Sequence, residues 1–250
     1  MKKPMNKQGF AVTLALLVLL SMTAMASTGR YDQQIQQAVS QKMHAAKQLQ
    51  SVHSSVDDGI VTLTGTVGLY QDKLDAAKKV KKLANVTGVR NEITVAGETV
   101  PDGQLQQKLA KKLAYDRVGY YDNAFNYVAV SVKDGVATLS GYAVWDVPKD
   151  TALAIVARMP GVKGVVNDVT VLSVSPFDDS IRVLTARAIY DDSQLGRYGT
   201  DPMEPIRIVV DKGHVTLYGT VENAMDKTIA GIRANGVPGA FSVENKLVVN

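Results

Sequence analysis

Apolar and polar residues alternate through "DGIVTLTGTV" (58–67), with Val61 and Leu63 on one face and Thr62 and Thr64 on the other. The same alternation returns in "DGVATLSGYA" (134–143), where Ala137 and Leu139 are the apolar pair, and in "KGHVTLYGTV" (212–221), where Val215 and Leu217 are. Each stretch predicts a strand with one buried face. Asp58-Gly59, Asp134-Gly135 and Lys212-Gly213 supply the positive φ of a tight hairpin turn before it. Gly65, Gly141 and Gly219 are expected to end the strand where the chain bends toward a helix.

The spacing of these landmarks defines repeats. Gly65 to Gly141 is 76 residues and Gly141 to Gly219 is 78; Asn91, Asn167 and Asn245, in "VRNEITV", "VVNDVTV" and "VENKLVV", keep the same two intervals. Within every copy the Gly-to-Asn distance is 26. Two landmarks holding one period predict three structural units.

Helical spacing precedes the hairpin in each unit: Ile35, Val39 and Met43 in the first, Leu105, Leu109 and Leu113 in the second, Ile181, Leu184 and Ala188 in the third. A strand rich in β-branched residues follows, clearest in "NYVAVSV" and "PIRIVV". After the motif strand a second amphipathic helix is expected, over 72–84 in the first unit, where Ala76, Ala77, Val80, Leu83 and Ala84 share an arc and Lys78, Lys79, Lys81 and Lys82 point elsewhere. A final strand carries the Asn landmark, and its helical crossover predicts that it lies parallel to the motif strand.

The fold class is therefore α+β: three tandem αββαβ units, each a three-stranded mixed sheet with two helices on one face and the other face open. The expected organisation is a signal peptide over 1–26 and units over 27–99, 100–174 and 175–250. Asp102, Asp179 and Ser180 are candidates to cap the helices after the short linkers.

The leader changes the charge argument. Lys2, Lys3 and Lys7 precede a short apolar run, Phe10 to Met22, and Ala24-Met25-Ala26 offers a cleavage site after Ala26. An uncleaved N-terminal anchor is the alternative. The leader holds three of the 28 Lys and Arg residues and none of the 24 acidic ones, which leaves 25 against 24, a net of +1. Such a balance does not support whole-protein attraction to nucleic acid. The absence of cysteine excludes disulfides, thiolate metal sites, a cysteine nucleophile and cysteine-linked acylation.

The phrase G-x-V-x-L-x-G-x-V, preceded by a helix and followed about 26 residues later by V-x-N-x-hydrophobic, resembles the BON domain, and the resemblance covers nearly the whole chain after the leader. Departures are Ala137 and Ala143 in place of valine, "NGVPGAFSVEN" in the third unit, and the long connections "YDRVGYYDNAF" and "YDDSQLGRYGTDPMEP". The resemblance implies an exported envelope protein of the periplasm, with phospholipid-membrane binding and envelope or osmotic stress as the associated functions, and chaperone-like or ion-binding roles in some members.

The residues themselves show no catalytic constellation. His44, His53 and His214 are the only histidines, no metal-binding spacing occurs, and nucleophile-elbow and phosphate-loop motifs are missing, so an enzyme, a cofactor and a metal site are not expected. The second unit stands out instead. Lys108, Lys111, Lys112 and Arg117 lie close to seven of the fourteen aromatic residues beyond the leader: Tyr115, Tyr120, Tyr121, Phe125, Tyr127, Tyr142 and Trp145. Lysines meeting anionic headgroups beside amphipathic rings suit an anionic phospholipid surface. The candidate lipid-binding set is Lys108, Lys111, Lys112, Arg117, Tyr120, Tyr121 and Trp145, while Tyr127 is expected in the core or at a joint between units. RNA binding is discounted for an exported protein. A protein-interaction module or stress chaperone, acting on other envelope proteins through open sheet faces, is the alternative function; Thr62, Thr64, Thr138, Ser140, Thr216 and Tyr218 make that face polar.

Overall fold

The computed structural model describes residues 31–116, 123–173, 175–201 and 205–250. The leader, Arg117, Tyr120 and Tyr121 lie outside the described residues.

The first repeat comprises α1 (residues 31–44), β1 (Val52–Asp57), β2 (Ile60–Val67), α2 (Tyr70–Lys81) and a last strand in two pieces, β3 (Gly88–Asn91) and β4 (Thr94–Val95). The second comprises α3 (Asp102–Tyr115), β5 (Tyr127–Lys133), β6 (Val136–Ala143), α4 (Asp146–Ala157) and β7 (Gly164–Val171). The third comprises α5 (Pro176–Tyr190), a short inserted α6 (Gly196–Thr200), β8 (Arg207–Asp211), β9 (His214–Tyr218), β10 (Thr220–Val221), α7 (Ala224–Asn235), β11 (Ser242–Asn245) and β12 (Val248–Val249). Each hairpin is antiparallel and each last strand runs parallel to the motif strand: β2 with β3, β6 with β7 and β9 with β11. The fold is the expected mixed α+β arrangement in three repeats.

Both helices of a repeat bury their apolar stripes on one face of its sheet. In the first core Ile35, Val39 and Met43 meet Val61, Leu63, Ala76 and Val80. Leu105, Leu109, Leu113, Ala137, Leu139, Ala152 and Val156 are the buried equivalents in the second. Full burial of such side chains stabilises by about 1.5–3 kcal/mol each. The third repeat corrects the expected helical face. Ile181, Thr185 and Ile189 point inward on α5, whereas Leu184 is exposed, because Arg182, whose Nη2 donates to Val210 O, takes an inward position beside them; Ser175 caps the helix, its Oγ accepting from Asp178 N at 3.2 Å.

Helix capping by Asp102 is also corrected. Its carboxylate instead accepts from the backbone N–H groups of Asp134 and Gly135 at 2.7 and 2.9 Å. Asp32 takes the N–H groups of Asp58 and Gly59 at 3.1 and 2.9 Å, and Asp178 those of Lys212 and Gly213 at 3.0 and 2.7 Å. The turns explain the geometry. Asp134 and Gly135 have φ of 54° and 77°, the two positive values of a type I′ turn, and such a turn aims successive N–H groups the same way. An acidic residue at the start of each repeat's first helix thus latches that repeat's hairpin.

One helical turn beyond each latch, a second side chain covers the outer hairpin strand. Gln36 Nε2 donates to Ser54 O at 3.0 Å, Gln106 Oε1 accepts from Val132 N at 3.2 Å, and Arg182 Nη2 donates to Val210 O at 2.8 Å. These contacts occupy backbone groups that an edge strand would otherwise offer to another chain.

The glycine and asparagine landmarks acquire physical roles. Gly141 does not end its strand: β6 continues to Ala143, and a Cβ at Gly141, whose φ is +114°, would lie 2.0 Å from the Tyr127 carbonyl oxygen. Gly65 likewise sits inside β2, where the backbones cross closely. Asn91 Nδ2 donates to Lys73 O at 2.7 Å and Asn245 Nδ2 to Lys227 O at 2.6 Å, while their Oδ1 atoms accept from the N–H two residues on. In the first and third repeats the asparagine therefore pins the last strand to the second helix at the point where its ladder breaks, whereas β7 runs unbroken through Asn167.

The described residues separate into two compact units, one up to Ala96 and one from Gly97 to Asn250. The second and third repeats share the latter, which overturns the expectation of an open sheet face there. Tyr127 stacks on Tyr218 with ring centroids 3.9 Å apart, Tyr142 approaches the same ring at 6.4 Å, and Phe125 packs against the third core. Val209, on the helix-free side of β8, is only 4% exposed. Arg207 Nη1 crosses the joint to Asn123 O at 2.7 Å, Asn123 Oδ1 at 2.8 Å and Asn126 O at 3.2 Å. Burial holds the Arg207 guanidinium below its usual pKa, against the opposing influence of Tyr190 and Tyr127.

Candidate functional site

Because Leu105, Leu109 and Leu113 turn into the second core, the intervening positions of α3 face solvent. Lys108, Lys111 and Lys112 are therefore exposed together, one turn or less apart. With Tyr115 and Met159 they line a shallow depression whose floor is apolar. Tyr115, the last residue of α3, is 69% exposed.

The three lysines are not equivalent. Lys112 Nζ lies 3.0 Å from Asp116 Oδ2 and 5.7 Å from the centre of the Tyr115 ring. Part of its charge is already answered. Lys108 and Lys111 form no ion pair among the described residues. Met159 and Tyr115 completed the depression without belonging to the candidate set, although helical spacing between Lys111 and Tyr115 was a readable signal. Trp145 stands outside the depression, at the N-cap of α4, and is 44% exposed. Arg117, Tyr120 and Tyr121 lie outside the described residues. Tyr127 and Tyr142 are committed to the joint with Tyr218.

A second basic helix exists in the first repeat. Lys78, Lys79, Lys81 and Lys82 are exposed at the end of α2, as its amphipathic pattern predicts. The groove beside Lys78 and Lys81 is floored by Ala77, Val86, Gly88 and Val89 and contains no aromatic side chain among its described lining residues.

The long connection of the third repeat is taken up by local structure. Tyr198 of α6 donates its hydroxyl to Asp226 at 2.7 Å and accepts from Glu222 N at 2.8 Å, while Arg197 pairs with the same buried carboxylate. Burial raises the Tyr198 pKa. These bonds converge on Asp226 and fasten α6 onto α7. Among the described residues, no group of three acidic or histidine side chains is placed to hold a metal ion, and no helix is long and apolar enough to cross a membrane.

Three small αββαβ modules, each with its hairpin latched to its first helix, define a tandem-repeat α+β protein. The sequence signature of the BON domain matches residues 31–97, 101–173 and 192–250, and the chain belongs to the BON domain family. No curated protein matches it significantly. Solved structures with some likeness include the C-terminal domain of CdsD, a structural protein of the type III secretion system of Chlamydia trachomatis, at 15% identity over 86% of this chain and 96% of that one, with a TM-score of 0.25. The periplasmic domain of the type III secretion inner-membrane protein PrgH from S. typhimurium matches at 10% identity over 82% and 95%, with a TM-score of 0.21. Likeness at this level carries no conclusion about function.

Proposed function

We propose that this chain is a non-enzymatic protein of the bacterial envelope that binds anionic phospholipid surfaces through the exposed face of α3, and that it is exported to the periplasm with a signal peptide cut after Ala26. The observation that carries the reading is the grouping of Lys108, Lys111 and Lys112 around the exposed Tyr115 ring and Met159. Each lysine near an anionic surface contributes about 1 kcal/mol, and an amphipathic ring at headgroup depth adds an apolar anchor that survives salt. The binding expected from this arrangement is weak, reversible and sensitive to ionic strength. Envelope or osmotic stress maintenance is the setting that the BON family suggests.

Sedimentation with phosphatidylglycerol or cardiolipin vesicles tests the proposal. The chain is expected to pellet at low salt, to be partly released near physiological salt, and to ignore phosphatidylcholine vesicles. Failure to pellet at low salt defeats the reading.

A protein-interaction function draws on a different surface. Phe177 and Phe241 of the third repeat are 49% and 70% exposed with ring centroids 5.7 Å apart, beside exposed Val183 and Leu184. Suppression of client aggregation without vesicle binding would favour it.

A further inference from the structure

Arg207 is only partly buried, so a ligand from solvent can reach guanidinium donors that protein acceptors leave open. Arg207 forms no ion pair among the described residues, and its three hydrogen bonds to Asn123 and Asn126 all leave from Nη1. No described residue accepts from Nε or Nη2. That pair of donors is one of the edges with which arginine grips both oxygens of a carboxylate.

Arg207 also lines a cleft. Ala110, Leu113 and Ala114 of α3, Val128 of β5 and Asn126 form its other walls, and its volume is about 250 Å³. At roughly 30 Å³ per water-sized group, this admits about eight non-hydrogen atoms. The chemistry of the walls then selects among anions. A single cation beside alanine, leucine and valine side chains balances one negative charge; a phosphate dianion would bring a second charge with no second cation among the described lining residues to meet it. Aliphatic walls favour a short hydrocarbon tail, for which the cleft has room.

We propose that the cleft between α3 and β8, at the joint of the second and third repeats, binds a small aliphatic monocarboxylate with Arg207 as its charged anchor. The site is separate from the lysines of the vesicle-facing surface and needs no membrane.

Calorimetric titration of the full chain with sodium butyrate, with sodium chloride, sodium phosphate and butylammonium chloride as comparators at matched ionic strength, tests the assignment. Saturable millimolar binding of butyrate alone is expected. Arg207→Gln should weaken it at least about tenfold, the value of one charge-assisted pair. Because that substitution also removes contacts across the joint, Ala110→Trp provides a second test: it narrows the cleft from α3 without replacing Arg207 or any of its acceptors, and it too should abolish butyrate binding. Butyrate heats no larger than those of chloride, phosphate binding as tight as butyrate, or wild-type butyrate affinity in Ala110→Trp would each overturn the proposal. Vesicle sedimentation is unaffected by any of these outcomes.

Discussion

Two helices of this chain carry a cluster of lysines, and they differ in what accompanies the charge. The end of α2 presents Lys78, Lys79, Lys81 and Lys82 over small aliphatic residues, whereas α3 presents Lys108, Lys111 and Lys112 around an exposed tyrosine and a methionine. Charge alone attracts any anionic surface and is screened within about 8 Å at physiological salt. Contact becomes specific only where an amphipathic ring can enter the headgroup layer. On the proposed reading, the more basic helix is therefore expected to be the poorer membrane ligand.

The comparison is most severely broken by removing the scaffold beneath one helix. Gly141→Ala forces a Cβ to within 2.0 Å of the Tyr127 carbonyl oxygen at a positive φ and should cost more than about 3 kcal/mol, unfolding the second repeat and abolishing vesicle binding. Gly65→Ala, which makes the same clash 2.1 Å from Ser51 O in the first repeat, should lower thermal stability comparably and leave vesicle binding intact. Circular dichroism melts and sedimentation read the two effects separately.

Reversal of Lys108, Lys111 and Lys112 to Glu should reduce partition into phosphatidylglycerol vesicles more than about 100-fold, since about 3 kcal/mol of attraction is lost and repulsion is added. The same reversal at Lys78, Lys79, Lys81 and Lys82 should cost less than about threefold. Equal losses would show that charge count, not the aromatic neighbour, decides. Tyr115→Ala keeps every charge, and should weaken binding about five- to tenfold with a steeper dependence on salt, measured by titrating vesicles at two ionic strengths. The smallest effect is a gain: Asp116→Asn frees Lys112 from its exposed partner and should tighten binding about twofold, in keeping with the small value of surface ion pairs.

Much of the fold was legible because its signals are local. The turn dipeptides, the alternation around Leu63, Leu139 and Leu217, and the equal spacing of Gly and Asn landmarks each depend on neighbours in the chain; the structure places the turns and the alternation as read, while Gly65 and Gly141 fall inside their strands rather than at the ends. The latch was not recognised, although Asp32, Asp102 and Asp178 stand in plain view. Connections of different length put them 26, 32 and 34 residues before their turns, so no fixed interval announces them. Leu184 was placed inward by periodicity alone, which cannot register that Arg182, buried through its bond to Val210 O, takes a core position on α5. Least visible was the joint of the later repeats, where Tyr218 looked like a surface residue until Tyr127 covered it. In the candidate site the lysines of α3 followed from helical phase, but Met159 came from another element and could be found only by packing.

The latches also fix the order in which the molecule can assemble. Each closes a loop of 26 to 34 residues, whereas Arg207 meets Asn123 across 84. Loop entropy grows with contour length, and rates fall as contacts become more distant in the chain. A polypeptide threaded one end first through a narrow exit can thus condense each repeat as soon as it emerges, before its successor is available. The tyrosine and arginine contacts between the second and third repeats span the longest stretches of chain, so that junction is expected to close after the repeats it joins.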